Sequence, residues 1–132
     1  MALDDKMTNK PAKIFKAGVA DDVKFGENVT IGDTCNLYGC EIGDNCLIAH
    51  YVEVQRGAKI GNNTRIQSHA FVCDKVTIGN DCFIGHHVCF TNDTFSVLGR
   101  PAYKELEHWK STNIGNRVTI GSGAVLLPVN IC

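Results

Sequence analysis

The sequence predicts an all-β fold, a parallel β-helix of hexapeptide repeats interrupted by one long loop. Three observations carry that prediction. Aliphatic or aromatic residues recur every six positions, small or β-branched residues lie four places after them, and glycine often follows the large residue. A period of six fits neither the 3.6 of a helix nor the 2 of an alternating strand over this length.

Residues 1–18 read as a polar N-terminal segment. The stretch "MALDDKMTNKPAK" is mixed in charge and lacks the apolar core of a signal peptide, which points to the cytoplasm. From Val19 the large residue recurs at Phe25, Ile31 and Leu37. After a five-residue step it resumes at Ile42 and runs through Ile48, Val54, Ile60, Ile66, Val72, Ile78 and Ile84 to Phe90. It returns at Ile114, Ile120 and Leu126. The small partner follows at positions such as Cys35, Ala58, Thr64 and Ala124. A coil of three short strands, about 18 residues per turn, satisfies this pattern. Each strand turns its large and small residues inward. Stacked coils pair their strands in parallel around a continuous aliphatic column. Glycines such as Gly43, Gly61 and Gly79 ease the tight backbone between strands.

Seven cysteines, an odd number in a chain read as cytoplasmic, argue against a disulfide framework. Cys35, Cys46 and Cys82 take the small inward position, and Cys40 does so in the shortened step, so they read as small buried hydrophobes. The run "CNLYGCEIGDNC" does not read as a zinc cluster, because a coil spreads those side chains over different walls.

Phe90 and Ile114 stand 24 positions apart where six would continue the coil. One more turn would need large inward residues at 96, 102 and 108, and these are Ser96, Ala102 and His108. The segment at about 91–113 is therefore an excursion, with Trp109, Tyr103, Phe95 and Leu106 as apolar anchors. "YKELEHWK" is expected to form a short helical turn. Long loops on regular scaffolds tend to carry function.

The whole chain of 132 residues fits one domain, with a formal net charge of −1. That charge supplies no basic field for nucleic acid or an anionic membrane. No stretch approaches the roughly 18 apolar residues of a membrane span.

The repeat resembles the hexapeptide acyltransferase superfamily, left-handed β-helix enzymes that use acetyl-CoA or acyl carrier protein. "FTND" at 90–93, the loop after it and re-entry at "NIGNRVTIGSGAVLLP" are similar to the nucleotide-sugar N-acetyltransferases that acetylate 3-amino sugars on a UDP or dTDP carrier. "RIQSHAFVCDKVTIGNDCFIGHHVCFTND" resembles them throughout. The resemblance implies a left-handed coil, acetyl-CoA as co-substrate, a nucleotide-linked amino sugar as partner, and a homotrimer binding the cofactor between subunits. The family's Pro-Arg pair after the Thr-Asn is reversed here, as Arg100-Pro101. Family chains also continue for several hexapeptides, whereas this sequence stops at "LLPVNIC". The β-helix domain, 19–132, is therefore expected to lack the usual C-terminal coils, with weakened acetyl-CoA binding as the consequence.

Counting by 18 stacks the corner residues. His50, Ser68, His86 and Ser122 each lie two places after their aliphatic residue, and Tyr51, His69 and His87 lie three places after. His50, His69, His86 and His87 should thus gather on one edge, in coils roughly 5 Å apart. Acetyl transfer to an amine needs a proton acceptor, an oxyanion donor and two substrates held in contact. His87 is the preferred base or orienting residue, with His69 second. Asn92 and Asp93 suit a sugar's hydroxyls and amine, and Asp93 can also relay the proton. Gln67, His69 and Glu105 are further sugar or nucleotide contacts. Arg117, Ser122 and Gly123 are the candidates for acetyl-CoA, and Arg100, Lys104 and Lys110 are additional cations for phosphate. His87, Asn92 and Asp93 are expected to line one cleft at a subunit boundary.

No metal is expected. A γ-type carbonic anhydrase needs three histidines, two of them five positions apart, and the positions five beyond His86 and His87 hold Thr91 and Asn92. The remaining alternatives are a sugar or serine O-acetyltransferase of the same superfamily, for which His108 is the loop's only histidine, and a non-enzymatic β-helix used for assembly.

Overall fold

The computed structural model describes residues 11–96, 99–101 and 106–132. The repeat closes into a left-handed parallel β-helix with three walls. Wall 1 stacks Lys24–Phe25, Glu41–Ile42, Lys59–Ile60, Val76–Ile78, Thr112–Ile114 and Asn130–Ile131. Wall 2 stacks Thr30–Ile31, Leu47–Ile48, Arg65–Ile66, Phe83–Ile84 and Thr119–Ile120. Wall 3 stacks Asn36–Leu37, Glu53–Val54, Phe71–Val72, Cys89–Phe90 and Val125–Leu126. Every strand pairing within the walls is parallel, and the inward aliphatic residues stack on one another: Ile48 pairs with Ile66, Ile66 with Ile84, and Ile84 with Ile120.

Two extended residues make most strands, three in Val76–Ile78 and Thr112–Ile114, and the rest of each hexapeptide turns the corner. Most turns spend one residue at positive φ. Between walls 1 and 2 these are Asn28, Asn45, Asn63, Asp81 and Arg117. Asn and Asp tolerate this region because the short side chain bonds locally. Between walls 2 and 3 the same position holds Thr34, Tyr51, His69, His87 and Gly123, and between walls 3 and 1 it holds Gly39, Gly57 and Lys75.

The six-residue phase read from the sequence is the core. Leu37, Ile48, Val54, Ile66, Val72, Ile84 and Phe90 are fully covered. Val19 and Phe25 belong to the first rung, where only one side is covered, and remain 46% and 43% exposed. The expected role of the cysteines needs refinement. The Cys46 and Cys82 thiols donate to the carbonyls of Gly61 and Gly115 in the next rung at 2.9 and 3.0 Å, and the Thr64 hydroxyl donates to Gly79 at 2.9 Å. The small inward position thus also ties rungs together. The role of the glycines changes too. A β-carbon at Gly43 or Gly61 would overlap the side-chain oxygen of Asn62 or Asn80, so close approach, not a left-handed turn, requires glycine there.

Wall 1 passes directly from Val76–Ile78 to Thr112–Ile114, so the excursion adds no rung. Its expected helical turn is a single 3-10 turn at Leu106–His108. Tyr103, Lys104 and Glu105 lie outside the described residues. No helix among the described residues is long and apolar enough to cross a membrane.

Candidate active site

Two clusters stand at opposite edges of wall 3. The first is the corner where wall 2 turns into wall 3. Tyr51, His69 and His87 occupy its positive-φ position in three successive rungs, with φ of 62, 65 and 59°. Their rings form a column. Tyr51 and His69 stack with centroids 4.9 Å apart, and His69 and His87 with centroids 4.6 Å apart and planes 2° from parallel. The edge read from counting by 18 is therefore present at the rung spacing. His50 lies beside it, its Nδ1 accepting the Asp33 N–H at 2.7 Å, which leaves Nε2 to carry the proton of the neutral ring. His86 donates its N–H to Ser122 Oγ at 3.1 Å, and Gly123 donates its N–H to the His86 carbonyl at 2.8 Å. Gln67 sits in the same corner turn, with its carbonyl accepting from Ala70 N–H.

The second cluster is where wall 3 ends and the excursion leaves. Asp93 and Trp109 form an antiparallel bridge, so the outgoing and returning chains run side by side. Lys110 N–H donates to the Asn92 carbonyl at 2.8 Å, and Asn92 Nδ2 donates to the Asp74 carbonyl at 3.1 Å. Asp93 Oδ1 accepts from Phe95 N–H at 2.8 Å. Lys75 closes the corner from below, its Nζ donating to the carbonyls of Leu106 at 2.9 Å and Trp109 at 3.2 Å. The pinned loop and the outer face of wall 3 enclose a groove of about 400 Å³. Phe71, Cys89, Phe95, Trp109 and Leu127 make its apolar lining, and Gln55, Asn92 and Asp93 its polar edge.

The structure thus brings Asn92 and Asp93 together, and brings His69, His87, Gln67, Ser122 and Gly123 to one corner. It does not bring the two groups together within one chain. The wall-3 strand Cys89–Phe90 separates His87 from Asn92, a separation on the order of 15 Å at strand rise. Arg117 is exposed on the corner between walls 1 and 2, away from Ser122 and Gly123. Glu105 lies outside the described residues. Among the described residues no group of three or more His, Cys, Asp or Glu converges on a point that could hold a metal ion.

Sequence reasoning missed Lys75, Phe71, Cys89 and Leu127. Lys75 had a signal: positions 39 and 57 are glycine, and the third residue of that 18-residue series is a lysine at φ 68°. The other three lie on the outer face of wall 3, a face the inward pattern does not specify.

The burial of Cys73 behind this groove pushes its thiol up to about 11, and burial does the same to Cys40 at the corner between walls 3 and 1. Both thiols are therefore neutral near pH 7 and unsuited to nucleophilic attack.

Comparison with known proteins places this geometry among transferases. The family described as bacterial transferase hexapeptide (six repeats) matches residues 22–56, 39–74 and 57–92. Among curated relatives, the bifunctional protein GlmU of Pseudoalteromonas atlantica (strain T6c / ATCC BAA-1087) is 30% identical over 135 residues, covering 83% of this chain and 29% of the relative. GlmU of Picosynechococcus sp. (strain ATCC 27264 / PCC 7002 / PR-6) is 30% identical over 115 residues, covering 86% and 23%. GlmU of Baumannia cicadellinicola subsp. Homalodisca coagulata is 27% identical over 107 residues, covering 81% and 22%. The chain spans about a quarter of the length of these relatives.

Proposed function

The chain belongs to the bacterial transferase hexapeptide family, and from that premise we propose that it transfers an acetyl group from acetyl-CoA to the amine of a sugar carried on UDP or dTDP. The observation that carries this reading is the groove. Its aromatic and aliphatic lining suits the C–H face of a sugar ring, and the paired amide and carboxylate at its edge suit hydroxyls and an amine.

The active site is completed between chains of a homotrimer. A three-walled prism can close around a threefold axis, each chain offering one corner to a wall of the next. His87 of one chain then faces Asn92 and Asp93 of its neighbour. Asp93 and Asn92 hold the sugar amine, whose lone pair attacks the thioester carbonyl. The C–N bond forms, and the developing oxyanion needs a donor. The Gly123 N–H is already given to the His86 carbonyl. Ser122 Oγ accepts from His86 N–H and also lies 3.5 Å from His86 Nδ1, so its hydroxyl proton serves the oxyanion by turning from that ring. His87 takes the ammonium proton, the C–S bond breaks, and the CoA thiolate leaves to be protonated. Arg117, on another corner, stands outside this cluster and is left for a cofactor phosphate.

The test is thiol release from acetyl-CoA across a panel of UDP- and dTDP-linked 3-amino and 4-amino hexoses. Turnover with an amino sugar and a product bearing a new amide is expected, with Asp93→Asn slowing it about 10²-fold. Failure with every amino sugar would refute the reading. A product esterified on oxygen would reassign the chain to O-acetyl transfer.

A further inference from the structure

His87 stands on an exposed turn. The terminal torsion of a histidine is broad and two-fold, so the side chain alone does not fix the ring plane. Among the described residues, no hydrogen bond reaches either ring nitrogen of His87. What lies against the ring is the face of His69, 4.6 Å away and within 2° of parallel. His69 in turn rests on Tyr51 at 4.9 Å and 22°. Backbone bonds hold the three turns in register: Tyr51 N–H to Asp33, His69 N–H to His50 and His87 N–H to Ser68, at 3.0, 3.2 and 3.0 Å. The next position of the series is Gly123, which has no ring to place above His87.

We infer that His69 and Tyr51 are positioning residues, a stacked splint that sets the ring plane of His87 and so aims its nitrogens at the substrate. The inference rests on the proposed role of His87 as the group that receives the amine's proton. Ring faces, not ring edges, meet in the column. A face contact transfers no proton, so the splint needs a flat ring at position 69 and not an imidazole nitrogen. Tyr51 already fills the equivalent place one rung below. The cost of losing the splint is misalignment, and small displacements of a reacting group cost large factors in rate.

Steady-state kinetics on the full chain, with acetyl-CoA and the accepted amino sugar, test this. His87→Asn comes first. If it retains wild-type turnover, His87 has no chemical role, and the inference falls with its premise. His69→Asn removes the ring yet suits the left-handed turn, as Asn28, Asn45 and Asn63 do at another corner. His69→Tyr keeps a ring and repeats what position 51 holds. The expected result is a kcat about tenfold or more lower in His69→Asn, with little change in KM, and recovery to within about threefold of wild type in His69→Tyr. A His69→Tyr enzyme as slow as His69→Asn would overturn the splint, because the nitrogen would then matter. Wild-type kcat in His69→Asn would overturn it as well. A readout without turnover is the His87 ring-proton resonance. Ring current from position 69 should shift it in the wild type and His69→Tyr, and the shift should be lost in His69→Asn. An identical resonance in all three would show that the rings do not stack in solution.

Discussion

At the scale of single residues, rung spacing decides what each position tolerates. At Gly61 a β-carbon would meet the Gly79 carbonyl at 2.7 Å, a backbone contact that cannot swing away. Gly61→Ala should therefore cost about 1–3 kcal/mol in denaturant unfolding. At Gly121 nothing lies within 4 Å, and the same substitution should stay within about 0.5 kcal/mol of wild type. Equal effects at both sites would contradict the close-approach account. Thr64 makes a second case. Its buried hydroxyl donates to Gly79 and accepts from Cys82 N–H at 3.2 Å. Thr64→Val keeps the shape and strands that N–H, so a loss of about 1–3 kcal/mol is expected in the same measurement. The thiols give a pH dependence. Cys40 and Cys73 have folded values raised by burial from 9.0 to about 11. The folded state holds their protons more tightly than the unfolded chain. Their contribution is full below about pH 9 and is lost as pH rises through about 11. Urea midpoints should hold from neutral pH to about 9 and fall above it, less steeply in Cys40→Ala. A midpoint that rises with alkalinity would reverse the sign.

The excursion is the element the repeat does not account for, and one side chain holds much of it. Lys75 reaches two of its carbonyls from the rung below. Lys75→Met should loosen the loop without touching the rung ladder. The expected outcome is red-shifted emission from Trp109, the only tryptophan, with faster proteolysis inside 91–111 and a nearly unchanged unfolding midpoint. Unaltered emission and cleavage would show that the loop is held by other means. How much of this was legible in the sequence follows from the physics of each part. The walls were legible because burial repeats every six residues, and Ile48, Ile66 and Ile84 declare it. The corner column was legible because Tyr51, His69 and His87 keep the same count. The groove was not, since Phe71, Cys89 and Leu127 face outward, where the core pattern imposes nothing. The separation of His87 from Asp93 was also hidden. Six positions in sequence look close, yet they cross a whole wall.

At the scale of the molecule, the proposed function needs a second chain. One chain carries the His87 corner and the Asp93 groove on opposite edges of wall 3, so the proposed chemistry requires neighbours that exchange them. Sedimentation at micromolar concentration should accordingly find a trimer, and a stable monomer would leave each half-site alone. The most direct test is subunit mixing. His87→Asn and Asp93→Asn chains, each expected to be strongly slowed by itself, are co-expressed and assayed for acetyl transfer. In a mixed trimer some interfaces join an intact His87 to an intact Asp93, about a quarter of them under random assembly. The account predicts that activity reappears at roughly that fraction of wild type. Mixed trimers no more active than their parents would place His87 and Asp93 in the same site of the same chain, or in no site at all, and would contradict it.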